Sequence, residues 1–174
     1  MSYDELKELF FSEKIDSTEE KKIANAYVIK AKKEKNETKL IRGYYYCSLI
    51  SNDEQKINYF DSIINIKTPK TDKKFPLMAY YEKGIALENL FKFNKAINCY
   101  LQAEKIALER ENIDYYYHCK FAVGILKSEK MGEVEEALTI FKEFHAFFDN
   151  KKNHLDFSIS MKCHYLQWLM HINH

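Results

Sequence analysis

The sequence predicts an all-α fold, and three observations lead to that prediction. The chain has 174 residues, of which 46% are apolar and 30% charged, so it is long and apolar enough to bury a core of its own. It contains only four glycines and two prolines, too few for an all-β sandwich or barrel, which needs a turn about every 8 to 12 residues. Apolar residues instead recur at steps of three and four, which place them on one face of a helix.

Net charge and cysteine spacing argue against two common kinds of site. Lys and Arg number 27 against 26 Asp and Glu, a net charge of +1, whereas domains that bind nucleic acid through its phosphates carry a marked basic excess. We therefore expect no direct contact with nucleic acid. Cys47, Cys99, Cys119 and Cys163 form no Cys-x-x-Cys pair, so we expect mostly buried, apolar thiols rather than a zinc or redox site.

Hydropathy predicts a protein without a membrane helix. No stretch approaches the roughly 18 uncharged apolar residues that such a helix needs. The first residues, MSYDELKELFF, are acidic, whereas an export signal begins with a basic segment and an apolar run. We expect a cytoplasmic protein and no membrane contact by residues 1–174; a periplasmic location is the alternative if an export signal has been lost.

The first 35 residues carry two helix signals. A short apolar-periodic stretch includes Leu6 and Phe10. Ser17, followed three residues later by Glu20, has the pattern of a capping box, and it predicts a helix that runs to about residue 35. We interpret residues 1–35 as a degenerate first repeat.

Pairs of helices follow, each joined by a short turn. Residues 67–76, KTPKTDKKFP, hold both prolines and a run of charge, so we interpret them as a solvated connector. Pro76 suits the first turn of the helix after it, and Gly132 marks a later turn. The predicted helix pairs occupy 38–66, 77–110 and 114–148, and an unpaired last helix occupies 156–172.

Small residues recur along these pairs at a nearly constant period. Gly43, Gly84 and Gly124 are separated by 41 and 40 residues. Two antiparallel helices about 8 to 10 Å apart need a small residue where their backbones come closest. Each pair leaves an apolar stripe that the next pair must bury, so the units stack. We therefore predict that residues 1–174 form a single domain, a solenoid of stacked antiparallel helix pairs.

One of these pairs, 77–110, carries a succession of large, small and aromatic residues: Tyr80, Gly84, Leu87, Ala96, Tyr100 and Ala103. The succession resembles the tetratricopeptide repeat family, and a looser copy lies in 114–148. Leu87 stands where an aromatic residue is usual, and spacings near 40 exceed the roughly 34 residues of that family. A helical-hairpin solenoid of another family therefore remains an alternative. The resemblance implies a right-handed superhelix that binds protein segments.

Three segments carry a closer resemblance: DSTEEKKIANAYVIKAKKEKN, IRGYYYCSLI and YFDSIINI. Their succession resembles the N-terminal repeat region of bacterial transcriptional regulators in which tetratricopeptide repeats precede a membrane helix and an AraC-type helix-turn-helix domain. Neither of those later parts is present in this sequence. The resemblance implies a sensor module that binds a protein or peptide partner and passes its occupancy to an output domain.

The resemblance also implies where a partner would bind. The first helix of each pair would line a concave groove, which here is largely apolar and aromatic, as suits a bound helix or extended segment. The Lys and Asn residues of a chaperone-type carboxylate clamp are missing. Packing of repeat against repeat is the alternative role for these side chains. The candidate groove residues are Leu40, Tyr44, Cys47, Tyr81, Ile85, Glu88, His118, Phe121 and Ile125.

The last predicted helix supports a second hypothesis, a structural module that forms a homodimer or larger oligomer. Its apolar band is too broad to remain in contact with water. The candidate interface residues are Met161, Tyr165, Leu166, Trp168, Leu169 and Ile172.

The sequence carries none of the common catalytic motifs: no Gly-rich phosphate loop, no GxSxG elbow and no HExxH helix. We expect a protein that is not an enzyme and that needs no cofactor or metal. His164, His171 and His174 lie near Cys163, but a chain terminus seldom offers the rigid support that metal ligands require.

Overall fold

A computed structural model describes residues 1–13, 15–68 and 72–149, except for the side chains of His145, Phe148 and Asp149. All regular structure in these residues is helical, which confirms the all-α prediction. The helix predicted over 156–172 lies outside the described residues. The described helices are α1 (Tyr3–Phe10), α2 (Ser17–Lys33), α3 (Glu37–Leu49), α4 (Asp53–Ile64), α5 (Leu77–Asn89), α6 (Phe93–Glu109), α7 (Ile113–Ile125) and α8 (Val134–Asp149), with a π-helical turn (Leu126–Lys130) between the last two.

Side chains that accept hydrogen bonds from free backbone amides set where five helices begin. Asp16, not Ser17, caps α2: its Oδ1 accepts from the amides of Thr18 and Glu19, each at 2.8 Å. The capping box expected at Ser17 instead occurs at the start of α1, where the side chains of Ser2 and Glu5 each bond the other's backbone amide. Both devices satisfy amides that have no partner inside the helix. The caps of α3, α4 and α7 are Asn36, Asn52 and Asn112.

Three helices end on a residue in the left-handed backbone region that is not glycine. Lys35, Phe91 and Glu111 have φ of 51°, 57° and 54°. In each case the amide of the following residue donates to a carbonyl five residues earlier in the helix, at 2.8 to 3.0 Å, as in a Schellman cap. The chain thus closes its helices with few glycines.

Each described helix packs against the next one along the chain. Ion pairs join consecutive helices, as between Asp61 of α4 and Lys83 of α5, and between Lys120 of α7 and Glu143 of α8. Residues of the turns that follow α1 and α3 line one hollow, and residues of the turns that follow α5 and the π-helical turn line another, so these four turns lie at one end of the molecule. At that end, Asn89 Nδ2 donates to Asp53 Oδ2 over 3.2 Å.

The recurring glycines lie at close helix approaches. A Cβ on Gly84 would lie 2.5 Å from the ring of Tyr100 in α6. A Cβ on Gly124 would lie 2.8 Å from the ring of Phe141 in α8. Gly43 differs from our expectation, because it approaches Val28 of the preceding helix α2 rather than the following helix. A small residue marks a close approach, but it does not say which neighbour approaches.

The charged segment before α5 is not wholly a solvated connector, and for residues 72–76 that interpretation is wrong. Phe75 is fully buried against α3 and α4. Asp72 Oδ1 accepts from the amides of Lys74 and Phe75 at 2.9 and 3.0 Å. Arg110 Nη1 donates to the carbonyl oxygens of Phe75 and Asp72. The segment is thereby fixed against the helices, and Arg110 ties it to the end of α6.

Candidate functional site

Aromatic side chains of α5 and α7 meet although α6 separates these helices in the chain. The ring of Tyr81 in α5 lies 6.0 Å from that of Tyr115 and 6.4 Å from that of His118, both in α7. Tyr115 and His118 stack on each other with ring centres 5.5 Å apart. These rings form one partly buried surface.

Glu82 brings a negative charge to this surface. Burial raises the pKa of its carboxyl group, and the positive charges of Lys56 and Lys74 oppose that rise. The charge of Glu82 in turn raises the pKa values of Tyr45 and Tyr115, after the larger effect of burial. Within the described part of the chain, the Glu82 side chain makes no hydrogen bond or ion pair. The carboxylate is therefore partly desolvated and lies near tyrosine rings, and Lys56 and Lys74 attract it without forming an ion pair with it.

Two cations border the same surface. Lys74 Nζ lies 4.4 Å from the ring centre of Tyr45 in α3, and Arg42 lies over the ring of Phe75 at 5.6 Å. Burial, and then the charge of Arg42, lower the pKa of Lys74. Cations at this range are attracted to the faces of aromatic rings. We call this surface the aromatic face; it consists of Arg42, Tyr45, Lys74, Tyr81, Glu82, Tyr115 and His118.

The remaining titratable groups of the aromatic face are uncharged at neutral pH. Burial lowers the pKa of His118 to about 4, although the charge of Asp114 opposes this effect. Burial raises the pKa of Tyr81 to about 12. The face therefore presents neutral aromatic rings and phenol hydroxyls around one carboxylate, with cations at its border.

The structure brings together two of the predicted groove residues, Tyr81 and His118, in the aromatic face. Tyr44 lies elsewhere, because its ring contacts Tyr59 of α4 and Lys32 of α2. Glu88 accepts a hydrogen bond from the Tyr100 hydroxyl at 2.9 Å and so serves the contact between α5 and α6.

The other predicted groove residues pack in the interior. Phe121 is buried against Phe141 and Phe144 of α8, with ring centres 5.3 and 5.2 Å apart. Its ring is therefore not offered to a partner. Leu40, Ile85 and Ile125 are partly buried and pack against three different core clusters.

Sequence reasoning missed five members of the aromatic face: Arg42, Tyr45, Lys74, Glu82 and Tyr115. Two of these lie in runs of three consecutive tyrosines, 44–46 and 115–117. The three side chains of such a run point in directions about 100° apart and together span about 200° of the helix, so the run alone does not show which ring faces a neighbour.

A second hollow, of about 370 Å³, lies between α2, α3 and α4. Cys47 lies here rather than in the aromatic face, with its Sγ 4.0 Å from Asn25 Oδ1. Burial raises the pKa of the Cys47 thiol, so the reactive thiolate is disfavoured. The hollow is lined by Lys21, Asn25, Cys47, Ile50, Ser51, Gln55, Asn58 and Tyr59.

The described residues contain no group of three or more His, Cys, Asp or Glu side chains placed to hold a metal ion. Among the same residues, no helix has both the length and the apolar character to cross a membrane. Cys47, Cys99 and Cys119 are buried free thiols. The predicted oligomer interface, from Met161 to Ile172, lies outside the described residues.

Comparison of the chain with known protein families, with curated proteins and with solved structures finds no match.

Proposed function

We propose that this chain is a protein-binding module: a right-handed solenoid of helix pairs, of the tetratricopeptide type, that holds a segment of a partner protein on its aromatic face. The half-buried Glu82 carboxylate, which lies close to three tyrosine rings and makes no hydrogen bond or ion pair with the described residues, carries this proposal. Structural ion pairs also occur in cores, but there the charge is paired. A desolvated charge without a partner is typical of a binding surface.

The solenoid is supported by spacing and by contacts. Gly84 and Gly124, 40 residues apart, each lie under a ring of the following helix. Tyr81 and Tyr115 link α5 to α7 directly, as stacked helix pairs require. The first helices of successive pairs then share one continuous surface.

The chemistry of the aromatic face defines the partner. A cationic side chain would satisfy Glu82, and the rings of Tyr45 and Tyr115 would attract the same cation. Neutral rings such as those of Tyr81 and His118 suit an adjacent apolar side chain. The partner segment therefore carries Lys or Arg next to an apolar residue.

A regulatory role follows from the resemblance to the repeat regions of AraC-type regulators. A bound segment that prefers one curvature of the stack over another would shift the population of the two states. An output domain joined to the module would respond to that shift.

The experiment is selection from a random dodecapeptide library displayed on phage, with the wild-type chain as bait. Enriched peptides should contain Lys or Arg next to an apolar residue. They should bind Tyr115→Ser at least about tenfold more weakly than wild type, as for a tyrosine anchor.

Tyr44→Ser is the matched control, because Tyr44 is also a partly buried tyrosine but lies against α4. It should bind the peptides like wild type, and both variants should keep the helical circular dichroism spectrum. Enriched peptides without basic residues, or equal binding by Tyr115→Ser, would refute the proposal.

A further inference from the structure

A large apolar side chain is exposed at each of the four turns at one end of the molecule. These residues, between 38% and 81% exposed, are Phe11, Leu49, Phe91 and Met131. Their separations are 38, 42 and 40 residues, which is the spacing of the helix pairs. Single exposed apolar residues are ordinary, but a row of them on one edge marks an interaction surface. We call this row the turn edge.

Phe91 is the most exposed residue of the turn edge. Its side chain is 81% exposed, although its backbone is in the left-handed region with φ of 57°. Glycine or asparagine would take that conformation at lower cost. The ring of Phe93 supports it, with centres 6.1 Å apart and planes nearly perpendicular. A bulky ring is thus exposed at a position where a smaller residue would adopt the backbone conformation at lower energy.

Two hollows on the turn edge differ in charge. One, of about 400 Å³, is lined by Phe10, Phe11, Leu49 and Ile50 together with Glu13 and Glu20. The other, of about 340 Å³, lies beside the projecting Phe91 and includes Lys92 and Lys95 but no acidic residue. Neither these glutamates nor these lysines form an ion pair with the described residues. The apolar hollow near α1 therefore has an acidic border, and the projecting ring has a basic one.

We infer that two copies of this chain associate through their turn edges. Phe91 of one copy enters the hollow formed by Phe10, Phe11, Leu49 and Ile50 of the other, and the same contact recurs in reverse about a twofold axis, as in an isologous dimer. In each contact Lys92 and Lys95 face Glu13 and Glu20. The dimer leaves the aromatic face free, so it does not depend on the function proposed above.

The charge of the turn that follows the π-helical turn fixes how the two copies align. Glu133, Glu135 and Glu136 make this turn acidic, and Lys127 already forms ion pairs with Glu133 and Glu136. If this turn of one copy paired with the turn after α1 of the other copy, which is also acidic, like charges would meet. The turn after α1 of one copy therefore pairs with the turn after α5 of the other. This pairing places Leu49, at the end of α3, close to the twofold axis.

Sedimentation equilibrium of the full chain tests this inference over a roughly hundredfold range of concentration, because dimer population depends on concentration. The mass of the wild type should rise from 20.8 kDa towards twice that value. Phe91→Asn removes the ring but suits the left-handed backbone, so it should remain monomeric without loss of helicity. Leu108→Gln is the control: Leu108 is 57% exposed at the other end of the molecule, and its variant should dimerise like wild type.

Charge reversal provides a second test that does not depend on the ring. Lys92→Glu with Lys95→Glu, and separately Glu13→Lys with Glu20→Lys, should each weaken the dimer at least tenfold. Mixing the two double variants should restore a 1:1 dimer, because both contacts then join opposite charges. A monomeric wild type, a dimeric Phe91→Asn, or a dimer lost only with Trp168→Glu would each overturn the inference.

Discussion

Gly84 has space for only a hydrogen atom on its Cα, and this restriction gives a direct test of the packing between α5 and α6. We expect Gly84→Ala to reduce the free energy of unfolding by about 1–2 kcal/mol. The added methyl group would meet the buried ring of Tyr100 at 2.5 Å, an overpacking cost of about 1–3 kcal/mol. Helix propensity offsets up to about 1 kcal/mol of that cost. Urea denaturation measures the difference.

Tyr100→Leu supplies the control for Gly84→Ala. Leucine leaves more room opposite residue 84, so adding Gly84→Ala to this variant should cost less than adding it to wild type. The coupling between neighbouring residues in such a double-mutant cycle is about 0.5–3 kcal/mol. Strictly additive changes would show that the glycine does not serve the contact with Tyr100.

His118 makes stability depend on pH. Burial lowers its folded-state pKa from 6.5 to about 4, so the folded protein holds the neutral imidazole. The stability that this group contributes is therefore complete above pH 6.5 and falls as pH drops from 6.5 towards 4. His118→Phe keeps a ring stacked on Tyr115 but cannot take a proton. The urea concentration at the midpoint of unfolding, measured at pH 7.5, 5.5 and 4, should fall less steeply with decreasing pH for this variant than for wild type.

Equal slopes for His118→Phe and wild type would contradict the burial of this imidazole. The comparison with wild type is needed because Glu82 has the opposite effect on the pH dependence of stability. Its pKa is raised in the folded state, so its protonation favours folding as pH falls.

At the scale of the helices, Arg110 connects the end of α6 to the segment before α5. Arg110→Met should cost about 1.5–3 kcal/mol, the usual contribution of hydrogen bonds to a charged group. Phe75 N and Lys74 N should also exchange their amide protons faster, since the segment loses its anchor. Lys105→Met, an exposed cation on the same helix, is the control and should change neither quantity. Unchanged exchange in Arg110→Met would contradict the anchoring role.

The sequence predicted the helices well because periodicity and caps are local signals. Ala24, Val28 and Ala31 follow one another at steps of four and three, as the buried side of a helix does, and all three are buried in α2. The partner of Gly43 was not predictable, because two neighbouring helices can take the close approach. Long-range contacts between helices decide such questions, and local pattern carries little information about them.

The same limit explains the incomplete prediction of the aromatic face. Glu82, in the stretch YYEKG, reads as a solvated helix residue. Its partial burial depends on packing between helices, and its charge acts on Tyr115 of α7, which lies far along the chain. Likewise, the buried Phe75 follows three lysines in the stretch KTDKKF, which favoured a solvated segment.

At the scale of the whole molecule, the two proposed surfaces lie in different places. The aromatic face is built from α3, α5, α7 and Lys74 of the segment before α5, whereas the turn edge is built from the turns at one end. A partner segment and a second copy of the chain can therefore bind at the same time. Peptide binding should survive Phe91→Asn, and dimerisation should survive Tyr115→Ser.

The central claim is that the Glu82 carboxylate holds a cation of the partner, and fluorescence anisotropy with a labelled library-selected peptide tests it most directly. Glu82→Gln keeps the shape and removes the charge, so we expect at least tenfold weaker binding, in line with the loss of a desolvated charge pair. Glu54→Gln makes the same change at an exposed position of α4 and should bind like wild type. Equal affinity of all three proteins would contradict the account.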